Sequence, residues 1–261
     1  MAGVYRECPP PPSLGELVEC GWTTSAPAGY RRQVLPDGCM DLVWTGTELL
    51  VAGPDVQAFT SDAGSASGLR FRPGTLPGLL GVPAAELRGD RVPLADLRPG
   101  PGREAAARLG GGADPLPTLR WLAAGMAAGD RAAETAPWTP AAVHQVTRRL
   151  AAGVPVSEVA DALGVTTRSL NRHSGAVFGY GPAVLRRILR FRRAAALLRA
   201  GLPPAEVAAR AGYADQPHLS REVRSFAGLS PSRLAPAPLA GPQASGANRS
   251  TLVASGSSTV A

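Results

Sequence analysis

Short alternating runs separated by turn signals fill the first hundred residues, and a period of two predicts β structure. Residues 31–35, a Pro36-Asp37-Gly38 turn and residues 39–45 read as a hairpin. In its second arm Met40, Leu42 and Trp44 share one face and Cys39, Asp41 and Val43 the other, as in a half-buried strand. Further strands are predicted over 49–52 and 68–72, the latter ended by Pro73, which has no N–H to donate. The spacing then becomes helical, with short helices over 76–80, 84–88 and 94–97 and longer ones over 103–109 and 116–128. In the last of these Leu119, Leu122, Ala123 and Met126 form a stripe. Residues 130–137 read as a linker. Beyond Ala235 the chain is Pro, Ala, Gly and Ser with almost no charge, too little to bury against the entropy of ordering, so a disordered tail is expected.

The segment between linker and tail repeats itself. Glu158-Val159-Ala160 through Leu163-Gly164 recurs as Glu206-Val207-Ala208 through Ala211-Gly212, 48 residues on. Leu170-x-Arg172 recurs as Leu219-x-Arg221 and Gly179-x-x-Pro182 as Gly228-x-x-Pro231, 49 residues on. Each copy is a helix, a turn at glycine and a second helix with a G-x-x-P stop. The Ala four residues before the turn glycine lets the helices cross closely, and the glycine supplies the positive φ. This is a helix-turn-helix, found twice, and a scaffold of helical hairpins is the alternative. Its second helix belongs in a major groove with N-terminal side chains at base edges. Over 167–178 the outward positions are Arg168, Asn171 and Arg172, and over 215–227 they are Gln216, His218 and Arg221. Arg pairs bidentately with guanine, and Asn and Gln with adenine.

A helix over 183–199 joins the copies, with Val184, Ile188, Phe191, Ala195 and Leu198 on one face and Arg186, Arg190 and Arg193 on the other. It is long enough to set two recognition helices about 34 Å apart, one duplex turn. Its Arg stripe is either a set of phosphate contacts or a solvated face. Charge separates along the chain in the same sense. All 27 basic residues are Arg, residues 1–136 carry net −3, and residues 137–235 carry net +9. A compact basic segment beside a mildly acidic one is the footprint of a nucleic-acid-binding module attached to another domain.

Composition removes competing chemistries. Without Lys there is no Walker-type phosphate loop, kinase site or Schiff base. The three His (His144, His173, His218) all lie in the C-terminal half, so neither a metal centre nor a cofactor is expected. Cys8, Cys20 and Cys39 make an odd set without a C-x-x-C pair, which fits reduced thiols. With no long apolar run and no leader pattern, a soluble, cytoplasmic chain without membrane contact is expected. The Ala, Gly, Pro and Arg excess fits GC-rich bacterial coding, so Gly and Pro counts alone carry little weight. An enzyme centred in residues 1–136 is the competing class; it would work without His or Lys and without a recognisable nucleophile and base.

Two strings, "VSEVADALGVTTRSLNRHSGAVFGYGPAVLRRILRFRRAAALL" and "EVAARAGYADQPHLSREVRSFAGLSPSRL", resemble the DNA-binding domain of AraC/XylS-family transcription regulators. The Gly212 to Arg221 string, G-Y-x-D-Q-x-H-L-x-R, is the most characteristic part. "VLPDGCMDLVW", "GLRFRPG" and "RVPLADL" resemble the sensor-like domain of one subgroup of that family. One departure stands out: Ser174 occupies a place where the family usually has a large apolar residue, which would loosen the first unit unless Val177 or Phe178 compensates.

The expected fold is α+β: a β-rich, barrel-like sensing or dimerising domain with short helices over 1–136, an all-α domain of two helix-turn-helix units over 137–235, and a disordered tail over 236–261. The expected function is sequence-specific regulation of transcription, not catalysis. Double-stranded DNA is the principal partner; RNA polymerase, an unknown small-molecule effector and a second copy of the chain are the others. Helices between 103 and 128 are the candidate dimer interface. Cys39, Asp41, Arg70 and Arg72 are candidate effector-pocket residues, with structural ion pairs and a buried Cys39 as the alternative reading.

Overall fold

The computed structural model describes residues 4–27, 29, 31–61, 64–129, 135–235 and 252–254. The N-terminal half runs through β1 (Val4–Cys8), a 3-10 turn (Pro12–Leu14), β2 (Val18–Ser25), β3 (Arg32–Val34), β4 (Met40–Trp44), β5 (Leu49–Ala52), β6 (Phe59–Ser61) and β7 (Ser65–Phe71). It continues with α1 (Leu76–Leu80), a second 3-10 turn (Ala84–Leu87), β8 (Arg91–Pro93), α2 (Leu94–Leu97), α3 (Pro99–Gly110) and α4 (Pro115–Ala127). The C-terminal half is α5 (Pro140–Ala151), α6 (Val156–Ala162), α7 (Thr167–Phe178), α8 (Pro182–Arg199), α9 (Pro204–Ala211), α10 (Gln216–Ala227) and α11 (Pro231–Leu234). The β-rich and helical halves follow the order read from the sequence. Of the tail, Leu252–Ala254 (β9) pairs with β3, and its other residues lie outside the described residues, as do 130–134 of the linker.

Six strands form an open antiparallel sheet in the order β1-β2-β7-β4-β5-β8, with β1 and β8 at its edges. Alternation along β4 behaves as its period demands. Met40, Leu42 and Trp44 are buried in a cluster with Phe71, Leu76, Leu94 and Leu119, while Asp41 and Val43 face the other side. α1, α3 and α4 supply the layer over the apolar face; Ala105, Leu109, Leu122, Ala123 and Met126 point into it. The stripe that made these helices a candidate dimer interface is therefore used within the chain. What α4 leaves outward is Trp121, covered by the Arg108 guanidinium 4.0 Å from its ring centroid.

The predicted hairpin between 31–35 and 39–45 does not form. β3 pairs with β6, placing Val34 opposite Phe59, whereas β4 lies between β7 and β5, with Leu42 opposite Leu69 and Val51. Pro36 cannot donate across a hairpin, and Asp37 is not an exposed turn tip. Its buried carboxylate accepts from the Cys39 N–H at 2.9 Å and pairs with the Arg70 Nε at 3.2 Å. Residues 36–38 thus carry the chain from one sheet to the other.

The four candidate pocket residues divide between two places. Arg70, with its side chain 6% exposed, pairs with Asp37 and Asp41 at 3.2 Å each, and the Trp22 indole donates to Asp41 at 2.9 Å. Burial, opposed by Arg70, raises the Asp41 carboxyl to about 6. Cys39 is buried, and burial together with Asp37 and Glu19 pushes its thiol well above the ordinary range, away from the thiolate a reactive cysteine needs. These three form a filled polar layer on the sheet. Arg72 is separate: its Nε donates to the Gly15 carbonyl at 2.9 Å, and its side chain lines a cleft toward the helical half.

Candidate DNA-binding surface

Both turns have the conformation the repeat calls for. Gly164 and Gly212 lie at φ +65° and +80°, in the left-handed region where a side chain would be strained. The small residues that let the helices cross, Ala160 and Ala208, are buried, as are Leu170 and Leu219 at the first inward position of each second helix. Each second helix opens on a side-chain cap: the Thr166 Oγ1 accepts from the Ser169 N–H at 3.1 Å, and the Asp215 carboxylate from the His218 N–H at 2.6 Å. α7 and α10 therefore begin at fixed points with their first turns facing outward.

On the first two turns of each helix Arg168, Asn171 and Arg172 are exposed on α7, and Gln216 and Arg221 on α10. His218 is half-buried, its ring edge-on to Tyr213 at 5.2 Å. The Asn171 amide donates to the Thr167 carbonyl at 2.9 Å, and Arg172 lies 3.4 Å from His173, so both side chains rest along their own helix. Arg224, one turn beyond Arg221, is exposed as well and belongs to the same basic face; the sequence reading overlooked it because it lies outside the repeated L-x-R.

A helix-turn-helix domain family matches residues 143–236, and a domain of unknown function, DUF6597, matches residues 6–93. The chain carries an AraC-type helix-turn-helix domain. No curated protein matches the chain. Among solved structures, ToxT from Vibrio cholerae O395 is 12% identical, with 80% of this chain and 88% of that one covered and a TM-score of 0.40. Unsaturated-fatty-acid-bound ToxT from Vibrio cholerae strain SCE256 is 10% identical over 88% of this chain and 93% of that one, with a TM-score of 0.41.

Within the AraC-type domain, α8 spans 18 residues, about 27 Å at the usual helical rise. Ile188, Phe191, Ala195 and Leu198 are buried as their spacing requires, joined by Leu185, Leu189 and Ala194, whereas Val184 is half-buried at the margin. The Arg stripe opposite divides in three. Arg190 is not free to meet phosphate: its guanidinium holds the Glu222 carboxylate through Nη2 at 2.9 Å and Nε at 3.2 Å, and lies 4.5 Å from the Tyr213 ring centroid. Arg193 stands on the wall of the cleft facing the N-terminal half. Arg186 is half-buried and makes no ion pair with a described residue.

Glu222 and Arg187 complete the cluster around Arg190. The Glu222 side chain is 4% exposed on α10 and accepts from Arg187 at 2.9 Å as well as from Arg190. Burial works to raise its pKa, but the hydrogen bonds from Arg190 and Arg187 prevail and hold it below the usual carboxylate range. This triad, with its carboxylate buried and its two guanidinium groups reaching toward solvent, ties the second recognition helix to the connecting helix.

The N-terminal half grips the far ends of both recognition helices. At α10 the Ala58 N–H donates to the Phe226 carbonyl at 2.7 Å, and the Gln33 amide to the Ala227 carbonyl at 2.8 Å. At α7 the capping Gly179, φ +82°, lies so close to Pro54 and Ala84 that a Cβ there would stand 2.5 Å from the Pro54 ring. Leu35, from the connection after β3, joins the core of the helical half. The exposed first turns of α7 and α10 point away from the N-terminal half, while free carbonyls at the C-terminal end of α10 receive donors from it. Among the described residues no helix is long and apolar enough to cross a membrane, and no cluster of His, Cys, Asp and Glu could hold a metal ion.

Proposed function

We propose that this chain is a sequence-specific transcription regulator that lays α7 and α10 into two successive major-groove segments on one face of duplex DNA, under the control of an effector acting through the N-terminal half. One observation carries the reading: two capped recognition helices, joined by a helix of about 27 Å, present Arg168, Asn171, Arg172, Gln216 and Arg221 to solvent on their leading turns. Arg and amide side chains are the types that discriminate base pairs in that groove. The region's net charge of +9 supplies the sequence-independent attraction to phosphate. Control through the N-terminal half is supported by its hold on the C-terminal ends of both helices, because a ligand that favours one arrangement of the two regions shifts the population able to bind.

The test is selection of bound fragments from random duplex DNA by the purified full chain, followed by footprinting of the winners. A split motif with centres about 10 base pairs apart is expected. Retention of all duplexes alike, with no motif emerging, would refute base reading.

A further inference from the structure

A cleft of about 500 Å³ lies where the two halves meet, within the range that small-molecule sites occupy. Within the N-terminal half the apolar face of the sheet is occupied by Leu42, Leu69 and Phe71, each fully buried. The cleft's walls carry opposite charge. The N-terminal wall presents Glu16, Glu19 and Arg72, net −1, and α8 presents Arg192 and Arg193, net +2. Glu19 and Arg192 already meet across the gap in an ion pair, which shows that the walls come within bridging distance. Glu16 and Arg193 form no such pair with a described residue and are exposed. Beneath them Val143, Leu189 and Leu197 make an apolar floor.

We propose that this cleft is the effector site and that it takes a small zwitterion with an apolar body, of the free amino acid or dipeptide class. The inference rests on the reading of the chain as an effector-controlled regulator. The ligand's ammonium faces Glu16, its carboxylate faces Arg193, and its side chain lies on Val143, Leu189 and Leu197. A simple anion meets Glu16 as a like charge, and a simple cation meets Arg193 as one; a zwitterion satisfies both walls. Because it touches both regions at once, it binds best when they are docked and so stabilises that arrangement.

The experiment measures melting temperature and calorimetric binding of the full chain with leucine, phenylalanine and the leucyl-phenylalanine dipeptide. Each is compared with its N-acetyl form, an anion, and its C-terminal amide, a cation. The free zwitterions should raise the melting temperature saturably, with both blocked forms binding at least tenfold more weakly. Glu16→Gln and Arg193→Gln should each abolish the shift while leaving the ligand-free melting temperature as it was. Equal binding of the acetylated forms, or no binding of any probe at millimolar concentration, would overturn the proposal. Footprinting of the native chain separates the two levels: a footprint together with no response to any probe discards the cleft and keeps the DNA reading, and no footprint on any duplex discards both.

Discussion

Ser174 of α7 and Val223 of α10 stand at the same place in the two copies of the repeat, 49 residues apart, and both are completely buried. The Ser174 hydroxyl has no hydrogen-bond partner, whereas Val223 fills its site with methyl groups. Leaving a hydroxyl dry and unpaired costs about 1–3 kcal/mol. Ser174→Val should therefore stabilise the first unit by about 1 kcal/mol, which for a chain of this size is a rise of about 2–4 °C in melting temperature. Ser174→Ala, with less volume to place, checks the sign: a fall in both variants by calorimetry would show that the hydroxyl is needed where it is.

Arg221→Ala should weaken binding to the selected duplex by about 1–3 kcal/mol and leave affinity for random duplex nearly as it was. Equal losses on both, with a shallower salt dependence, would make Arg221 a phosphate contact.

Glu222→Gln removes the charge that Arg187 and Arg190 share, while the amide keeps the volume. A loss of about 1–3 kcal/mol in stability is expected, together with weaker operator binding, since α10 then loses its tie to α8. Because Glu222's folded pKa lies below its unfolded one, its contribution is present above the unfolded value and disappears as pH falls through the folded one. The stability gap between native chain and variant should narrow in acid; a gap that persists unchanged to pH 3 would show that charge plays no part.

Asp41 has the opposite sign. Its folded pKa of about 6 exceeds the unfolded value, so the folded state takes up a proton more readily. Its contribution is greatest below the unfolded pKa and is lost as pH rises through about 6. Urea titrations should show Asp41→Asn gaining on the native chain between pH 5 and pH 7, and a difference independent of pH over that window would contradict the assignment.

Gly179→Ala places a methyl group in a left-handed conformation and against Pro54. The strain alone is about 1–3 kcal/mol. Beyond that loss, proteolysis should cut between the two halves more readily. Faster cleavage of the variant reports undocking, and a variant as resistant as the native chain would show that the contact yields.

The helix-turn-helix units were legible because their information is local: a turn glycine, an alanine four residues before it, a leucine and an exposed arginine recur in the same order, with one extra residue between glycine and leucine in the second copy. The stripe of Leu119, Leu122, Ala123 and Met126 was legible for the same reason, although spacing alone could not say whether it faced another copy or this chain's own sheet. The partner of β3 was not legible, since Val34 meets Phe59 across a gap in sequence that no turn signal announces. β1 and β2 were missed too: their pairing sets Glu7 against Trp22, and the alternation along β2 is interrupted by Gly21. Glu222 hid in plain view. An acid on a basic helix looks like a solvated charge until the fold brings Arg187 and Arg190 alongside. The donors from Ala58 and Gln33 to the end of α10 depend on the assembled tertiary structure, and nothing local foretells them.

Because one body holds α7 at Gly179 and α10 at Phe226 and Ala227, the two helices stand as the jaws of a caliper whose opening is set from behind. Such a tool is intolerant of gauge. Inserting a few base pairs between the two halves of the operator should defeat the full chain far more than the isolated helical portion, for which only α8 sets the span.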